Sequence, residues 1–226
     1  MSAGGSPPLD PAGRAALETV LDLLAQERAS VSSVVDQRAW QVHVEDSLTG
    51  LEVPALPSAA RIADVGAGAG FPGLVLAVAL PEARVDLIES VGRKCEFMRR
   101  AIEAAGIPNA RVLNVRSEDL AGGEGRESYD AVTARAVARL STLAELASPL
   151  LREGGHLVAW KGRRDPEEEA QLARAAPFLA MTPGAVLDVG HRAGSEHRHL
   201  HVIQKTAPTP ENLPRRPGMA KKRPKG

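Results

Sequence analysis

The chain is poor in cysteine: its 226 residues contain one, Cys95. A single thiol excludes an intrachain disulfide framework and offers no Cys/His spacing for a structural zinc, so no metal is expected and a reducing, cytoplasmic setting is. Long apolar runs are also missing. The longest, around Leu74–Leu80, is far short of the roughly 20 residues that cross a bilayer, so no membrane span is expected. The first eleven residues are small and proline-rich, without a basic stretch leading into an apolar one, and do not read as a secretory signal. Neither sign of charge is in excess, since 28 Lys and Arg balance 28 Asp and Glu. That balance argues against a surface coated in basic residues for unspecific nucleic-acid binding.

What is present suffices for one core. With 43% hydrophobic residues, a chain of this length buries a single full core, so one domain with appendages is expected, as a monomer. From Pro11 to Ala29, Leu17, Val20, Leu21 and Leu24 recur at helical spacing, and Asp36–Leu51 repeats the pattern with Trp40, Val44 and Leu48. Residues 1–57 therefore read as an N-terminal helical cap. After Pro54 and Pro57 the period changes. Strands are expected at Arg61–Val65, Arg84–Glu89, Arg111–Val115, Tyr129–Thr133 and His156–Trp160, alternating with helices at Pro72–Leu80, Arg93–Ala105, Leu140–Leu151 and Pro166–Ala176. Such alternation builds a parallel sheet covered on both faces. Ala185–Val189 and His199–Lys205 follow as two strands joined by the short loop His191–Glu196, which is too short for a parallel crossover and must return antiparallel. The α/β domain over 58–207 thus has five parallel strands and a C-terminal antiparallel hairpin. Beyond it, Arg215, Arg216, Lys221, Lys222, Arg223 and Lys225 crowd among prolines and glycines. Residues 208–226 read as a disordered basic tail attracted to phosphate.

Chemistry concentrates where the first strand ends. Asp64-Val65-Gly66-Ala67-Gly68-Ala69-Gly70-Phe71-Pro72-Gly73 joins strand to helix, with glycines for a tight turn and close ligand approach, and Pro72 suited to a helix start. In an open α/β sheet this turn lies at the carboxyl edge, where ligands bind. Glu89, ending the second strand, is placed to accept both ribose hydroxyls of an adenosine. A dinucleotide loop would carry a third glycine where this chain has Phe71, and a pyrophosphate disfavours the carboxylate of Asp64 beside it. The residues therefore tilt towards S-adenosylmethionine, with an NAD-dependent oxidoreductase left as the alternative.

These residues resemble those of the bacterial small-subunit (16S) ribosomal RNA guanine-N7 methyltransferases, the glucose-inhibited division protein B family. The likeness runs from about Trp40 to Lys205 and is strongest in Asp64–Gly73. It continues through His43…Asp46-Ser47-Leu48, Glu89-Ser90…Arg93-Lys94, Arg116-Ser117-Glu118, Arg135-Ala136, Lys161-Gly162 and Arg198-His199-Leu200. It departs at Ser117, where alanine is frequent, and at His201, inside a strand more often fully apolar. The resemblance implies a Rossmann-like class I methyltransferase fold with a mostly parallel seven-stranded sheet. It places Gly66, Phe71, Glu89, Ser90, Val91, Ser117, Glu118 and Arg135 around the cofactor, beside Asp64 and Gly68 from the loop.

The segment just after the fourth strand bears on the acceptor. Thr133-Ala134-Arg135-Ala136 has neither the Asn/Asp-Pro-Pro-aromatic run of amino-group methyltransferases nor the Pro-Cys nucleophile of carbon-5 enzymes. Guanine N7 has a free lone pair and needs no proton removed, so in-line attack without a covalent enzyme intermediate would rest on orientation. Arg135 and Lys161 are the substrate-orienting candidates, able to donate to guanine O6. Arg93, Lys94, Lys161, Arg163 and Arg164 are candidates for contact with the RNA. His197, His199 and His201 alternate along a strand without a fixed acid or thiol partner and read as packing or surface residues. The partner expected is 16S ribosomal RNA or the small ribosomal subunit, and a non-catalytic RNA-binding protein on this scaffold is the remaining alternative.

Overall fold

The computed structural model describes residues 9–27, 32, 34–190 and 197–225. Asp10 caps the first helix, α1 (Pro11–Gln26), by accepting from the Gly13 N–H at 2.6 Å, and Pro11 opens it where a missing N–H costs nothing. The helix expected to reach Ala29 ends at Gln26, and residues 28–31 lie outside the described residues.

The second cap helix is not one regular helix. A π-helical turn, Trp40–Glu45, runs into α2 (Asp46–Leu48) and then a 3₁₀ turn, Thr49–Glu52. The hydroxyls of Ser47 and Thr49 donate back to the carbonyls of His43 and Asp46, competing with the regular ladder as mid-helix Ser and Thr do.

The sheet contains β1 (Arg61–Val65), β2 (Arg84–Ile88), β3 (Ala110–Leu113), β4 (Tyr129–Arg135), β5 (Leu151–Lys161), β6 (Met181–Asp188) and β7 (His199–Lys205), in the order β3-β2-β1-β4-β5-β7-β6. The first five pair in parallel, and β7 inserts antiparallel between β5 and β6. The expected parallel sheet with a terminal hairpin is therefore what forms. Its loop, His191–Glu196, lies outside the described residues.

Period-two alternation sends each strand into two cores. Ile62, Val85, Leu87, Ala131, Val158 and Trp160 pack with α1, α3 (Gly73–Ala79) and α4 (Gly92–Ala105). Ala63, Val65, Ile88, Val132, Leu157 and Ala159 pack with α6 (Leu140–Ala147) and α7 (Pro166–Ala175). A five-residue helix, α5 (Ser117–Ala121), follows β3; it is too short to show a helical period in the sequence. Helix α6 stops before Pro149, not at Leu151, and the freed residues start β5 early.

The largest correction concerns the C-terminus. Residues 208–225, expected to be a disordered basic tail, fold back over α6 and end in a short helix, α8 (Met219–Lys222). Arg215 forms a two-pronged pair with Glu145, Nη2 to Oε2 at 2.6 Å, on a carboxylate only 3% exposed. Leu213 and Ala220 are buried. Neutralising Arg215 against a buried acid and burying Leu213 removes the solvation argument for disorder.

Candidate functional site

The chain order crosses from β1 to β2 and β3 on one side and returns to β4 on the other, so the strand order reverses between β1 and β4. Ligands in open α/β sheets sit in the crevice beyond the strand ends at that point. Here the loop after β1 turns sharply, Gly66 and Ala67 both donating to the Ile88 carbonyl at 2.8 and 3.1 Å. Gly66 holds φ +68°, and a β-carbon on it would sit 2.8 Å from Cγ2 of Val137. Both the left-handed backbone and the close approach of the β4 side demand glycine.

Asp64 braces this loop from behind. Its Oδ2 accepts from the Gly73 N–H at 3.0 Å and its Oδ1 from the Thr133 hydroxyl at 2.9 Å. The carboxyl is buried, and burial raises its pKa to about 7 against the opposing pull of those two bonds. Asp64 was expected to touch the cofactor; it instead pins the start of α3 and the end of β4 to the loop.

Glu89 stands just past β2. Its Oε2 accepts from the Gly68 N–H at 3.1 Å and its Oε1 from the Val91 N–H at 2.9 Å. Each carboxylate oxygen has two lone-pair sites, so both keep an acceptor position for a diol. Glu89 lines a cavity of about 390 Å³ together with Gly66, Ser90, Ser117, Glu118 and the segment Ala136–Ala138. That volume lies in the range of small-molecule sites. The Ser117 hydroxyl donates to Glu118 Oε2 at 3.2 Å, and the Gly218 N–H donates to Glu118 Oε1 at 2.7 Å. Acids, small residues and backbone amides at three strand ends fit an adenosine with a cationic tail, so the residues present suit S-adenosylmethionine.

The other expected site residues lie nearby but in different roles. Gly68 and Val91 serve Glu89 through their amides. Phe71 is buried with its ring stacked on His43 at 4.5 Å between centroids and 13° between planes. Arg135, expected beside cofactor or base, turns to the cap: Nη1 donates to the Val42 carbonyl at 2.9 Å and to Asp46 Oδ2 at 2.8 Å, and Nη2 lies 3.3 Å from His43 Nδ1. Burial lowers the pKa of His43. Lys161 pairs with Glu168 at 2.7 Å and reaches the Ala138 carbonyl at 3.3 Å, which puts it behind the wall that follows β4. Arg163 contacts His197, and Arg164 forks onto Glu169. Arg93 is exposed on the first turn of α4, and Lys94 lines the cavity.

Cys95 is buried, its thiol donating to the Glu89 carbonyl at 3.2 Å. Two features of the site were not foreseen. Asp46 forms an ion pair with Arg198, Nε to Oδ1 at 2.7 Å without hydrogen-bond alignment, as well as its hydrogen-bonded pair with Arg135, and the Trp160 indole N–H donates to the Asp46 carbonyl at 2.9 Å. Gly218, Ala220 and Lys221 of the tail line the cavity. The sequence signal for the tail's docking was slight: Leu213, Met219 and Ala220 are its apolar residues among prolines and charges.

Comparison with known proteins places this geometry. The profile of a family described as rRNA small subunit methyltransferase G matches residues 18–200. A Ribosomal RNA small subunit methyltransferase G from Rubrobacter xylanophilus is 46% identical over 187 residues, covering 80% of this chain and 71% of that protein. One from Moorella thermoacetica is 36% identical, covering 96% of this chain and 92% of that protein. Among solved structures, a SAM dependent methyltransferase from Aquifex aeolicus superposes with a TM-score of 0.57 at 18% identity, covering 76% of this chain and 94% of that one. A SAM-dependent O-methyltransferase from Thermotoga maritima gives 0.56 at 14% identity, covering 85% and 73%. At such identities the structural likeness speaks for the fold alone.

Proposed function

From the premise that this chain belongs to the rRNA small subunit methyltransferase G family, and so is an S-adenosylmethionine-dependent rRNA methyltransferase, we propose that its acceptor is N7 of a guanine in 16S ribosomal RNA. The observation that carries the choice of atom is the wall after β4. Ala136, Val137 and Ala138 line the cavity there and have no titratable side chain. The Glu89 and Glu118 carboxylates are each held by two hydrogen bonds, to Gly68 and Val91, and to Ser117 and Gly218. Among the described residues, the three side chains of that wall carry no group that can take a proton from an acceptor, and a ring nitrogen with its own lone pair needs none taken.

S-adenosylmethionine supplies an activated methyl group on a sulfonium. When bound it would give that methyl to the N7 lone pair, the C–S pair returning to sulfur, so that S-adenosylhomocysteine and a cationic base would result. The protein's part is to hold donor and acceptor in line, which contributes up to about 7–11 kcal/mol in favourable cases. Glu89 would hold the ribose, Gly66 would let the backbone approach, and Ser117 with Glu118 would border the adenine. Lys161 is held behind Ala138 by Glu168 and acts on the base only by leaving that pair. Arg135 acts through the cap, holding Asp46 and the Val42 carbonyl. Arg93 and Lys94 are the phosphate contacts nearest the cavity. On this reading the protein works in the cytoplasm, on the small ribosomal subunit.

The test incubates the protein with methyl-labelled S-adenosylmethionine and small subunits, or naked 16S RNA, from cells lacking the protein. The expected result is label in 16S RNA and chain cleavage at one guanine after borohydride and aniline, which act on N7-methylguanine. Label on any other base atom overturns the choice of N7.

A further inference from the structure

We propose that the C-terminal tail, residues 211–221, is a wall of the cofactor pocket, so that cofactor binding and tail docking are one coupled equilibrium. The inference rests on reading the cavity at Gly66, Glu89 and Glu118 as the cofactor site.

Three independent features place the tail there. Gly218, Ala220 and Lys221 line the same cavity as Glu89, Ser117 and Glu118. The Gly218 N–H donates to Glu118 Oε1 at 2.7 Å, so a tail amide occupies one oxygen of a pocket carboxylate. Gly218 holds φ +80°, the turn that swings the chain across the pocket, and a conformation other residues adopt only with strain.

The docked path is held on both sides of that turn. Before it, Arg215 forks onto the buried Glu145 and the Leu213 carbonyl accepts from Arg126 Nη1 at 3.0 Å. After it, the Thr142 hydroxyl donates to the Ala220 carbonyl at 3.3 Å, and Thr142 itself lines the cavity. The sheet and loops enclose the pocket from β1, β2 and β4, and the tail closes the side between α5 and α6. Undocking it exposes that side to water and frees Glu118 Oε1.

Binding energies are reciprocal. The factor by which a docked tail tightens the cofactor equals the factor by which saturating cofactor favours the docked tail. Two measurements on different variants must therefore agree. Calorimetry with S-adenosylhomocysteine compares the full chain with a chain ending at Pro210; the expected rise in Kd is about tenfold. Limited trypsin digestion of the intact chain follows cleavage after Arg215, Lys221 and Lys222, expected to slow about tenfold under saturating S-adenosylhomocysteine, because cleavage tracks the undocked population.

Truncation leaves Glu145 buried without its arginine, so Gly218→Ala in the full chain serves as the second variant. No atom lies within 4 Å of the added β-carbon, so this change acts through the backbone turn alone, and a Kd between those of the full and shortened chains is expected. An unchanged Kd in a folded tail variant, or tail cleavage indifferent to ligand, overturns the proposal. Gly66→Val separates the two levels. If it loses the ligand while the tail variants keep it, only the tail inference fails; if all bind like the parent, the reading of the cavity fails.

Discussion

Arg135, the last residue of β4, and Asp46, the first of α2, meet across 2.8 Å between Nη1 and Oδ2. Arg198 approaches the second oxygen of the same carboxylate at 2.7 Å. Asp46 is 1% exposed, so one buried acid ties the cap to the ligand edge of the sheet through two arginines, one ending β4 and one just before β7. The Arg135 guanidinium also lies 5.9 Å from the Phe71 ring centre, which links this lock to the glycine loop.

Breaking the lock from its two ends should cost different amounts. Asp46→Ala strands two partly buried arginines, and removing one side of a buried ion pair costs about 3–5 kcal/mol. Arg135→Ala leaves Asp46 with Arg198 and should cost only the lost charged hydrogen bonds, about 1.5–3 kcal/mol. Urea unfolding without ligand measures both. Equal losses, or a larger loss for Arg135→Ala, contradict the arrangement.

The cofactor loop can be tested without unfolding the domain. Gly66→Val places a branched side chain at positive φ, at about 1–2 kcal/mol of backbone strain, and drives it into Val137. That is small beside a typical stability of about 5–15 kcal/mol, so a folded protein with cofactor affinity down by about 100-fold or more is expected. Glu89→Ala frees the Gly68 and Val91 amides and should weaken cofactor by about 10–100-fold while RNA affinity stays unchanged. Titration calorimetry with S-adenosylhomocysteine reads both variants.

Asp64 gives the protein a signed pH dependence. Its carboxyl is raised to about 7 in the fold from about 3.9 in the unfolded chain. Between those values the folded state holds the proton more tightly. The contribution of Asp64 is thus most favourable at low pH and is lost as pH rises from about 4 through 7, by about 4 kcal/mol at most. Burial also lowers the pKa of His43 and His201, which acts in the opposite direction, so the comparison must be made by difference. Parent minus Asp64→Asn stability, from urea midpoints at pH 5 and pH 8, should be more positive at pH 5. A difference that grows with pH refutes the assignment.

The sheet was legible because its signals are local. β1 and β7 read as short strand-like apolar runs bounded by breakers and turns, and both form within the expected bounds, Arg61–Val65 and His199–Lys205. The glycine loop and Glu89 were legible for the same reason: a turn after a strand and an acid at the next strand end are written in short spacings. What escaped depends on pairs far apart in the chain. Arg135 could be placed at the ligand edge, but the direction of its side chain is decided by Asp46, 89 residues earlier. Composition marks 208–226 as solvated because it cannot register that Arg215 finds Glu145 70 residues away. The irregular cap at Trp40–Glu52 follows from hydroxyls that bond back to the backbone, which a hydrophobic stripe does not register.

Pairing of the tail and α7 charges redirects the RNA prediction. Arg215 is neutralised by Glu145 and Arg164 by Glu169, so neither offers a free cation to phosphate. Arg93 stands exposed at the N-terminal turn of α4 beside Lys94, where the positive end of the helix adds to their field instead of offsetting it. Each phosphate contact contributes about 0.7–0.9 to the slope of log affinity against log salt. Arg93→Ala should therefore lower the slope for 16S RNA by about that amount, while Arg164→Ala leaves it nearly unchanged. Binding measured across a salt series decides between them. A larger slope change in Arg164→Ala would place the RNA path along the end of β5 instead of the start of α4.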